Sequence, residues 1–296
     1  MILQKFLKHK LIHPPSWLPN NTSYLTVMGS RAYACEREDS DFDIYGFAIP
    51  PREDLFPHLR GEIIDFSRPK NRFGQWEELH LTHPDTGMEY GFTVYSITKY
   101  FRLVMDGNPN MVDSLWTADN CVLHTSKIGQ LVRDNRKMFL SKKCYHTFKG
   151  YSFAQIKKLQ LKTPLDGSKR DEDVKAHGYD TKYAYHLYRL ISECEQILQE
   201  GSVDLQRDNE LYKAVRRGEK TQEEVLSYFA GKEKYLEQLY EKSTIPYSAD
   251  EDKIRDLLVQ CLEIHYKDGL KDAITIPNAA ESALREIAEI CAKTLK

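Results

Sequence analysis

The sequence lacks the long hydrophobic runs of a membrane protein. No apolar run approaches the ~20 residues that are needed to cross a bilayer. The first residues, MILQKFLKHKLIHPP, also lack the long apolar stretch and the small-residue cleavage site of a secretion signal. We therefore expect a cytoplasmic protein that has no membrane partner.

Cysteine is present, but not in a metal-binding arrangement. None of the six cysteines forms a CxxC pair or stands beside a histidine at zinc spacing, which argues against a zinc site. Widely separated cysteines in a cytosolic protein are expected to be reduced thiols. These residues are Cys35, Cys121, Cys144, Cys194, Cys261 and Cys291.

The composition is that of a folded protein. Hydrophobic residues make up 41% and charged residues 29% of the 296 positions, so the chain can bury a core. This length fits one large domain or, as we expect, two modest ones.

The first part of the chain has the pattern of strands, and the second part has the pattern of helices. Alternating or continuous apolar runs that end at turn residues predict strands at 24–30, 41–51, 61–66, 75–81 and 88–95. From Ser96, a credible N-cap, apolar residues recur at helical spacing as far as Gly107. Further helices are predicted at about 152–162, 179–200, 208–217, 221–242, 250–268 and 278–296.

Strands followed by helices indicate an α+β fold. We expect a catalytic or binding domain at 1–130 and an α-helical domain at 131–296, with the boundary somewhere between 125 and 150.

One segment carries a chemical signal. Gly29 and Ser30 follow a hydrophobic strand and are separated by ten residues from Asp41-Phe42-Asp43. A glycine at the end of a strand lets the backbone approach a ligand, and a nearby hydroxyl and amide groups can hold phosphate. Carboxylates two positions apart on a strand project from one face and suit Mg²⁺ that also holds substrate phosphates. In the alternative interpretation, the two aspartates are surface turn residues and Ser30 is a helix cap.

This spacing resembles the signature of the nucleotidyltransferase superfamily related to DNA polymerase beta. Three further stretches resemble the predicted nucleotidyltransferases that are named for RNA-repair association, the RlaP or YcgL type, so that the resemblance spans about 22–220. These stretches are TVYSITKYFRL (93–103), GNPNMVDSLW (107–116) and HGYDTKYAYHLYRL (177–190).

The resemblance implies a fold and a reaction. The fold would be a mixed sheet with flanking helices, and the α-helical domain would complete the nucleotide and nucleic-acid site. The reaction would move a nucleoside monophosphate from a nucleoside triphosphate such as ATP to a hydroxyl, with two Mg²⁺ ions (or Mn²⁺) at Asp41 and Asp43. Gly29, Ser30 and Arg31 would contact the nucleotide.

The superfamily normally adds a third carboxylate, and the sequence leaves its identity open. It should lie on the strand before the 96–106 helix, where Glu89 is the one acid in MEYGFTVY. Gly91 faces the same side and leaves room for the glutamate, so we favour Glu89 as a catalytic and metal ligand. Asp65 and Glu77 are the alternatives.

A second cluster lies in the helical half. Lys182, His186 and Arg189 are spaced to share one helical face and could hold the phosphates of a triphosphate. The alternative is a polar helix face on which Asp180 and Glu193 are the partners of these residues.

The net charge of −2 conceals a basic segment. Residues 133–170 contain eleven Lys and Arg against two Asp, a net of +9 that could attract a polyanion such as RNA. A solvated helical face is the alternative. Lys157, Lys158 and Lys162 could extend the anion surface, and Tyr151 and Phe153 could stack on a base.

The sequence is compatible with three functions. The first is an Mg²⁺-dependent nucleotidyltransferase that acts on an RNA end, in RNA or tRNA repair or modification. The second has the same chemistry with a protein or small-molecule hydroxyl as acceptor, as in AMP transfer. The third is a catalytically silent nucleic-acid-binding module.

Overall fold

The computed structural model describes residues 1–38, 40–56, 72–161 and 169–267. In these ranges five strands form one sheet in the order β3-β4-β2-β1-β5. Strands β2 and β4 run parallel and the other neighbouring pairs are antiparallel, so the sheet is mixed, as expected. The strands are β1 (Thr22–Val27), β2 (Phe42–Ala48), β3 (Gln75–Thr82), β4 (Glu89–Ser96) and β5 (Val122–Thr125).

Helices flank the sheet and make up most of the second half of the chain. The helices of the described ranges are α1 (Ile2–Lys8), α2 (Leu18–Asn21), α3 (Arg52–Leu55), α4 (Ile97–Met105), α5 (Pro109–Trp116), α6 (Lys127–Asp134), α7 (Lys143–Leu161), α8 (Lys169–His177), α9 (Thr181–Glu200), α10 (Asn209–Arg216), α11 (Gln222–Lys242) and α12 (Glu251–Tyr266).

Most of the predicted elements are found, and the differences have local causes. The Ser96 side chain caps α4 by accepting from the Lys99 amide, as its sequence position predicted. The GNPN stretch opens helix α5, because Asn108 caps the helix and Pro109 occupies its first position. Helix α7 begins nine residues before the predicted 152. The predicted strand 61–66 and helix 278–296 lie outside the described residues.

The two faces of the sheet have different partners. One face packs against α1 and the segment that follows it, through the buried side chains of Leu25, Ile44, Phe92 and Val94. The other face contributes Tyr24 and Phe47 to a larger core that extends as far as Leu262 in α12. Because alternate residues of a strand share a face, Asp43 lies on the side of Phe47.

Helix α9 forms the centre of the helical half. Asp180 caps it by accepting hydrogen bonds from the amides of Lys182 and Tyr183, and Gly201 ends it with φ +58°. Sheet and helices contribute to the same buried cluster, which joins the two halves of the chain. The division into domains at 1–130 and 131–296 stays a prediction.

Two expectations about the whole chain can be compared with this fold. None of the helices in the described ranges is both long and apolar enough to span a bilayer. Five of the six cysteines are buried free thiols, as predicted, and Cys291 lies outside the described residues.

Candidate active site

The bend after β1 lies directly against a carboxylate of β2. Gly29–Arg31 forms a single 3₁₀ turn, and Gly29 has φ +65°. A Cβ atom at Gly29 would stand 2.6 Å from Asp43 Oδ2, a distance that real Cβ atoms do not tolerate. The glycine is therefore required both by its conformation and by the close approach of Asp43.

Asp43 is half-buried in β2, and Asp41 is exposed just before the strand. Burial raises the pKa of Asp43, the negative charges of Asp41 and Glu89 raise it further, and the positive charges of Lys182 and His80 oppose the rise. These four groups therefore surround Asp43. A desolvated carboxylate beside two others is a favourable place for a cation.

Glu89 lies on the same face of the sheet as the two aspartates. Asp43 is paired with Gly91 in the parallel β2–β4 ladder, and Glu89 is two residues before Gly91. A Cβ atom at Gly91 would stand 3.5 Å from Asp43 Oδ1, which places Gly91 on the face of the sheet that carries Asp43. Glu89 as the third carboxylate stays a prediction that this placement favours.

A β-bulge brings a histidine to Glu89. The register of β3 against β4 shifts between Glu78 and Leu81, and His80 in the bulge has φ +58°. The carboxylate of Glu89 contacts Nδ1 of His80. Bulges change the direction of side chains in this way. Sequence patterns do not reveal a bulge, so nothing in the sequence distinguishes His80 from an ordinary residue beside a hairpin turn.

The two alternative acids are placed differently. Asp65 lies outside the described residues. Glu77 of β3 is paired with Thr93 of β4 and accepts a hydrogen bond of 3.4 Å from the Thr93 hydroxyl. Thr93 is two residues after Gly91, which is paired with Asp43.

The described residues contain no group of three His, Cys, Asp or Glu side chains that is already arranged to hold a metal ion. Their donors nevertheless fit Mg²⁺ chemically, because Asp41, Asp43 and Glu89 would offer carboxylate oxygens, which Mg²⁺ takes as ligands. Gly29 itself presents backbone, and no side chain of its own, to Asp43 Oδ2.

A cleft of about 510 Å³ brings the two predicted clusters together. Gly29, Ser30, Asp41 and Asp43 line it on the sheet side. Helix α9 supplies the opposite wall, with Lys182, His186 and Arg189. The helical spacing therefore correctly placed these three side chains at one surface, and Lys182 is the exposed member.

Arg189 differs from the other two because its guanidinium is tied into the protein. The side chain is 4% exposed, and its Nη1 donates to Asp113, to the Tyr33 hydroxyl at 2.7 Å and to Glu193 at 3.2 Å. Tyr33 in turn donates to Asp113 at 2.6 Å. This buried ion cluster (Arg189, Asp113, Glu193 and Tyr33) gives Nη1 internal partners, and phosphate binding by Arg189 stays a prediction.

The buried ion cluster holds two carboxyl groups for one guanidinium. Burial raises the pKa of Glu193 well above its ordinary value, and the charge of Arg189 opposes the rise. Burial likewise raises the pKa of Asp113, again opposed by Arg189. The cluster therefore favours uptake of a proton when the chain folds.

Two arginines that the sequence did not single out also line the cleft. Arg37 lies with Nη1 3.8 Å from Asp173 and donates to the carbonyl oxygen of Arg216. Arg216 donates from Nη1 to the carbonyl oxygen of Cys35 at 3.0 Å. These contacts hold both guanidiniums at the cleft. Helical periodicity could not predict them, because the two hydrogen bonds join residues 179 and 181 positions apart.

Arg31 points away from the predicted nucleotide site. Its guanidinium carbon lies 3.8 Å from the centre of the Phe42 ring, and Nη2 donates to the Ser40 carbonyl oxygen at 2.8 Å. The Phe42 side chain is on the opposite face from Asp43, because the two are neighbours on a strand. Arg31 is therefore a packing residue in this arrangement, which corrects the predicted nucleotide contact.

Most of the described cations of the basic segment have internal partners. Arg133 is buried and donates to Asp119 at 3.0 Å, Lys143 pairs with Asp106 at 2.6 Å, and Lys149 contacts Glu237 at 2.9 Å. Lys157 and Lys158 remain exposed on α7, and Lys162 lies outside the described residues. The charge of 133–170 is thus partly neutralised by distant acids, and RNA binding by this segment stays a prediction.

The two aromatic candidates on α7 have different surroundings. Tyr151 is 39% exposed, and its hydroxyl accepts a hydrogen bond of 3.0 Å from Asn108 at the start of α5. Phe153 packs edge-on against Phe229 of α11 with ring centres 5.3 Å apart. Tyr151 thus contacts the first turn of α5, whereas Phe153 belongs to the packing against α11.

Comparison with known proteins identifies one matching family. A family model described as "RNA repair pathway DNA polymerase beta family" (RlaP) matches residues 19–244. The curated proteins give no match. A solved nucleotidyltransferase-like protein from Exiguobacterium sibiricum 255-15 is 10% identical over 81% of this chain and 73% of that chain, and its TM-score of 0.29 is too low to support an argument.

The close approach of Gly29 to Asp43 predicts a specific effect of one methyl group. Gly29→Ala should lower thermal stability and weaken Mn²⁺ binding, measured by electron paramagnetic resonance, because the new Cβ displaces the Asp43 carboxylate. Gly87→Ala is the matched control, since Gly87 has φ +66° but nothing within 4 Å of its Cβ position. Both variants carry the left-handed strain of about 1 kcal/mol. Equal Mn²⁺ affinities of the two variants would contradict the prediction.

The buried ion cluster predicts opposite behaviour for two cations on the same helix. Arg189→Met should cost about 3–5 kcal/mol of unfolding free energy, because it leaves buried carboxylates without their partner. Lys182→Met should change that free energy by less than about 0.5 kcal/mol, because Lys182 is exposed. Urea unfolding measures both, with Arg189→Lys as a variant that keeps the charge. Similar losses for Met at the two positions would refute the structural role of Arg189.

The raised pKa of Glu193 predicts a pH dependence of stability. A carboxyl whose pKa is higher in the folded state than in the unfolded state takes up a proton on folding. Stability should therefore fall as pH rises from the ordinary carboxyl range through the raised pKa, and Glu193→Gln should flatten this fall. Melting temperatures measured from about pH 5 to about pH 8 test it. A variant with the same slope as the parent would show that Glu193 does not carry the effect.

Proposed function

Because the chain belongs to the RNA repair pathway DNA polymerase beta family, we propose that it transfers a nucleoside monophosphate from a nucleoside triphosphate to a hydroxyl group, with pyrophosphate leaving. Family membership supports nucleotidyltransferase activity in general. The observation that carries the specific proposal is the Gly29–Ser30 bend packed against Asp43, in a cleft whose far wall bears Lys182.

The carboxylates would act through divalent cations. Asp41, Asp43 and Glu89 would hold Mg²⁺ or Mn²⁺, which would neutralise charge on the transferring phosphate and favour ionisation of the acceptor hydroxyl. Burial of Asp43 contributes to this role, since burial raises its pKa and a bound cation would stabilise the charged carboxylate.

The opposite wall of the cleft would bind the triphosphate tail. Ser30 offers a hydroxyl, and Lys182 and His186 project from α9 into the same cleft. Arg37 and Arg216 would add positive charge there. Such cations bind phosphates in the ground state and also stabilise the charge that passes to the departing pyrophosphate.

For the acceptor we propose the end of an RNA strand. The description of the family supports this choice, and the exposed Lys157 and Lys158 on α7 add positive charge to the helical half. The internal pairing of Lys143 and Lys149 favours a second candidate, a protein or small-molecule hydroxyl, because it removes much of the field expected for a polyanion.

Removal of the two aspartates tests the proposed reaction. Asp41→Asn with Asp43→Asn should lower transfer at least a hundredfold, about 2.7 kcal/mol of transition-state stabilisation, because the cations lose their ligands. The assay follows label from each α-³²P nucleoside triphosphate, with Mg²⁺, to RNA, DNA or a protein extract. Asp85→Asn, an exposed change in the β3–β4 turn, is the control and should be active.

The outcomes separate the candidate functions. Label on RNA supports the first acceptor, and label on protein supports the second. Parental activity in the double aspartate variant would refute the site. RNA binding that needs no Mg²⁺, without transfer to any acceptor, would identify a silent binding module.

A further inference from the structure

The proposed reaction restricts the direction from which an acceptor can arrive. In phosphoryl transfer the attacking and leaving oxygens lie roughly in line through phosphorus. The cations that would hold the leaving pyrophosphate belong to the cleft beside Gly29 and α9. On the other side of Asp43 the sheet continues through β4 to β3, so the acceptor should lie over that side.

Three tyrosines stand on that side. Tyr45 follows Asp43 by two residues on the same face of β2, and Tyr95 projects from the same face of β4. Their ring centres are 6.4 Å apart at an interplanar angle of 66°. Tyr151 approaches from α7. We refer to Tyr45, Tyr95 and Tyr151 as the tyrosine wall.

The tyrosine wall adjoins the cleft and is held by neighbouring contacts. Tyr45 lines the cleft together with Asn110 of α5. The Tyr151 hydroxyl accepts from Asn108, which caps that same helix. Lys99 Nζ lies 5.6 Å from the centre of the Tyr95 ring and is fixed by a hydrogen bond of 2.6 Å to Gln75.

The three tyrosines of the wall interact electrostatically with one another and with nearby acids. Burial raises the pKa of Tyr45, and Tyr95, Asp43, Glu77 and Tyr151 each raise it further. Glu77 and Tyr151 also raise the pKa of Tyr95, after burial. The wall is thus within electrostatic reach of Asp43, and the Tyr151 ring is exposed enough to receive a ligand.

We propose that the tyrosine wall stacks the terminal base of a single-stranded RNA acceptor and thereby places the terminal hydroxyl beside Asp43. The proposal rests on the proposed function. Aromatic rings bind bases of any sequence through their faces. The carboxylate of Glu77 beside the wall disfavours a phosphate there and leaves the base as the part of the nucleotide that suits it.

Helix α7 offers a matched control. Phe153, two residues after Tyr151, is 43% exposed, but its ring packs on Phe229 of α11 and so belongs to another surface. Removal of this ring should lower stability, because the packing against α11 is lost, and should leave RNA binding unchanged.

Binding is measured without nucleotide, so that it does not depend on turnover. The probe is a short 5′-fluorescein single-stranded RNA, followed by anisotropy, and a second probe lacks the 3′-terminal base. Tyr151→Ala and Tyr95→Ala should weaken binding of the intact RNA about tenfold, the effect expected for one stacked base. Tyr151→Phe and Phe153→Ala should bind like the parent, and the RNA without the terminal base should not distinguish Tyr151→Ala from the parent.

Each outcome decides the proposal separately from the reaction. Transfer to RNA by the parent, with equal RNA affinities for Tyr151→Ala and Phe153→Ala, would overturn the tyrosine wall and leave the proposed function intact. A tenfold loss restricted to the intact RNA would support the wall even if no transfer is found. Equal weakening with both RNA probes would assign Tyr151 a structural role and overturn the proposal. Transfer to a peptide hydroxyl alone, with no RNA affinity in the parent, would also overturn it.

Discussion

A single buried guanidinium joins the segments that enclose the cleft. Arg189 belongs to α9, Tyr33 to the stretch that follows the Gly29 bend, and Asp113 to α5. An isolated buried charge is energetically costly, so the contacts among these groups hold them in one arrangement. The wall that carries Lys182 and the bend that carries Ser30 are therefore positioned by the same interaction, and the cleft depends on it.

The local chemistry of the site could be predicted from the sequence because it depends on short-range geometry. A glycine that ends a strand and two aspartates at alternate positions have the same consequences in any sheet, and here Asp43 Oδ2 lies 2.6 Å from the Cβ position of Gly29. The face of the sheet on which Glu89 lies could also be predicted from the sequence, because Gly91 two residues later leaves space on the same face. The mixed sheet came from the family resemblance, since alternation along a strand does not specify which strands pair.

The features that the sequence did not reveal share one physical origin, which is that partners distant in sequence decide what a charged side chain contacts. Helical spacing put Arg189 beside Lys182 but could not show that Asp113 would bind it from α5. The charge of the basic segment suits a polyanion, but Lys149 of this segment pairs with Glu237, which is 88 positions away in the sequence. His80 owes its contact with Glu89 to a bulge, and no composition or periodicity predicts a bulge of this kind.

The most direct test of the proposed site is a crystal structure of the protein with Mn²⁺ and a non-hydrolysable ATP analogue, in which anomalous scattering locates the metal. We expect Mn²⁺ within coordinating distance of the carboxylates of Asp41 and Asp43, and the triphosphate between the Gly29–Ser30 bend and Lys182. A triphosphate bound outside this cleft, or Mn²⁺ remote from both aspartates, would contradict the assignment of the site.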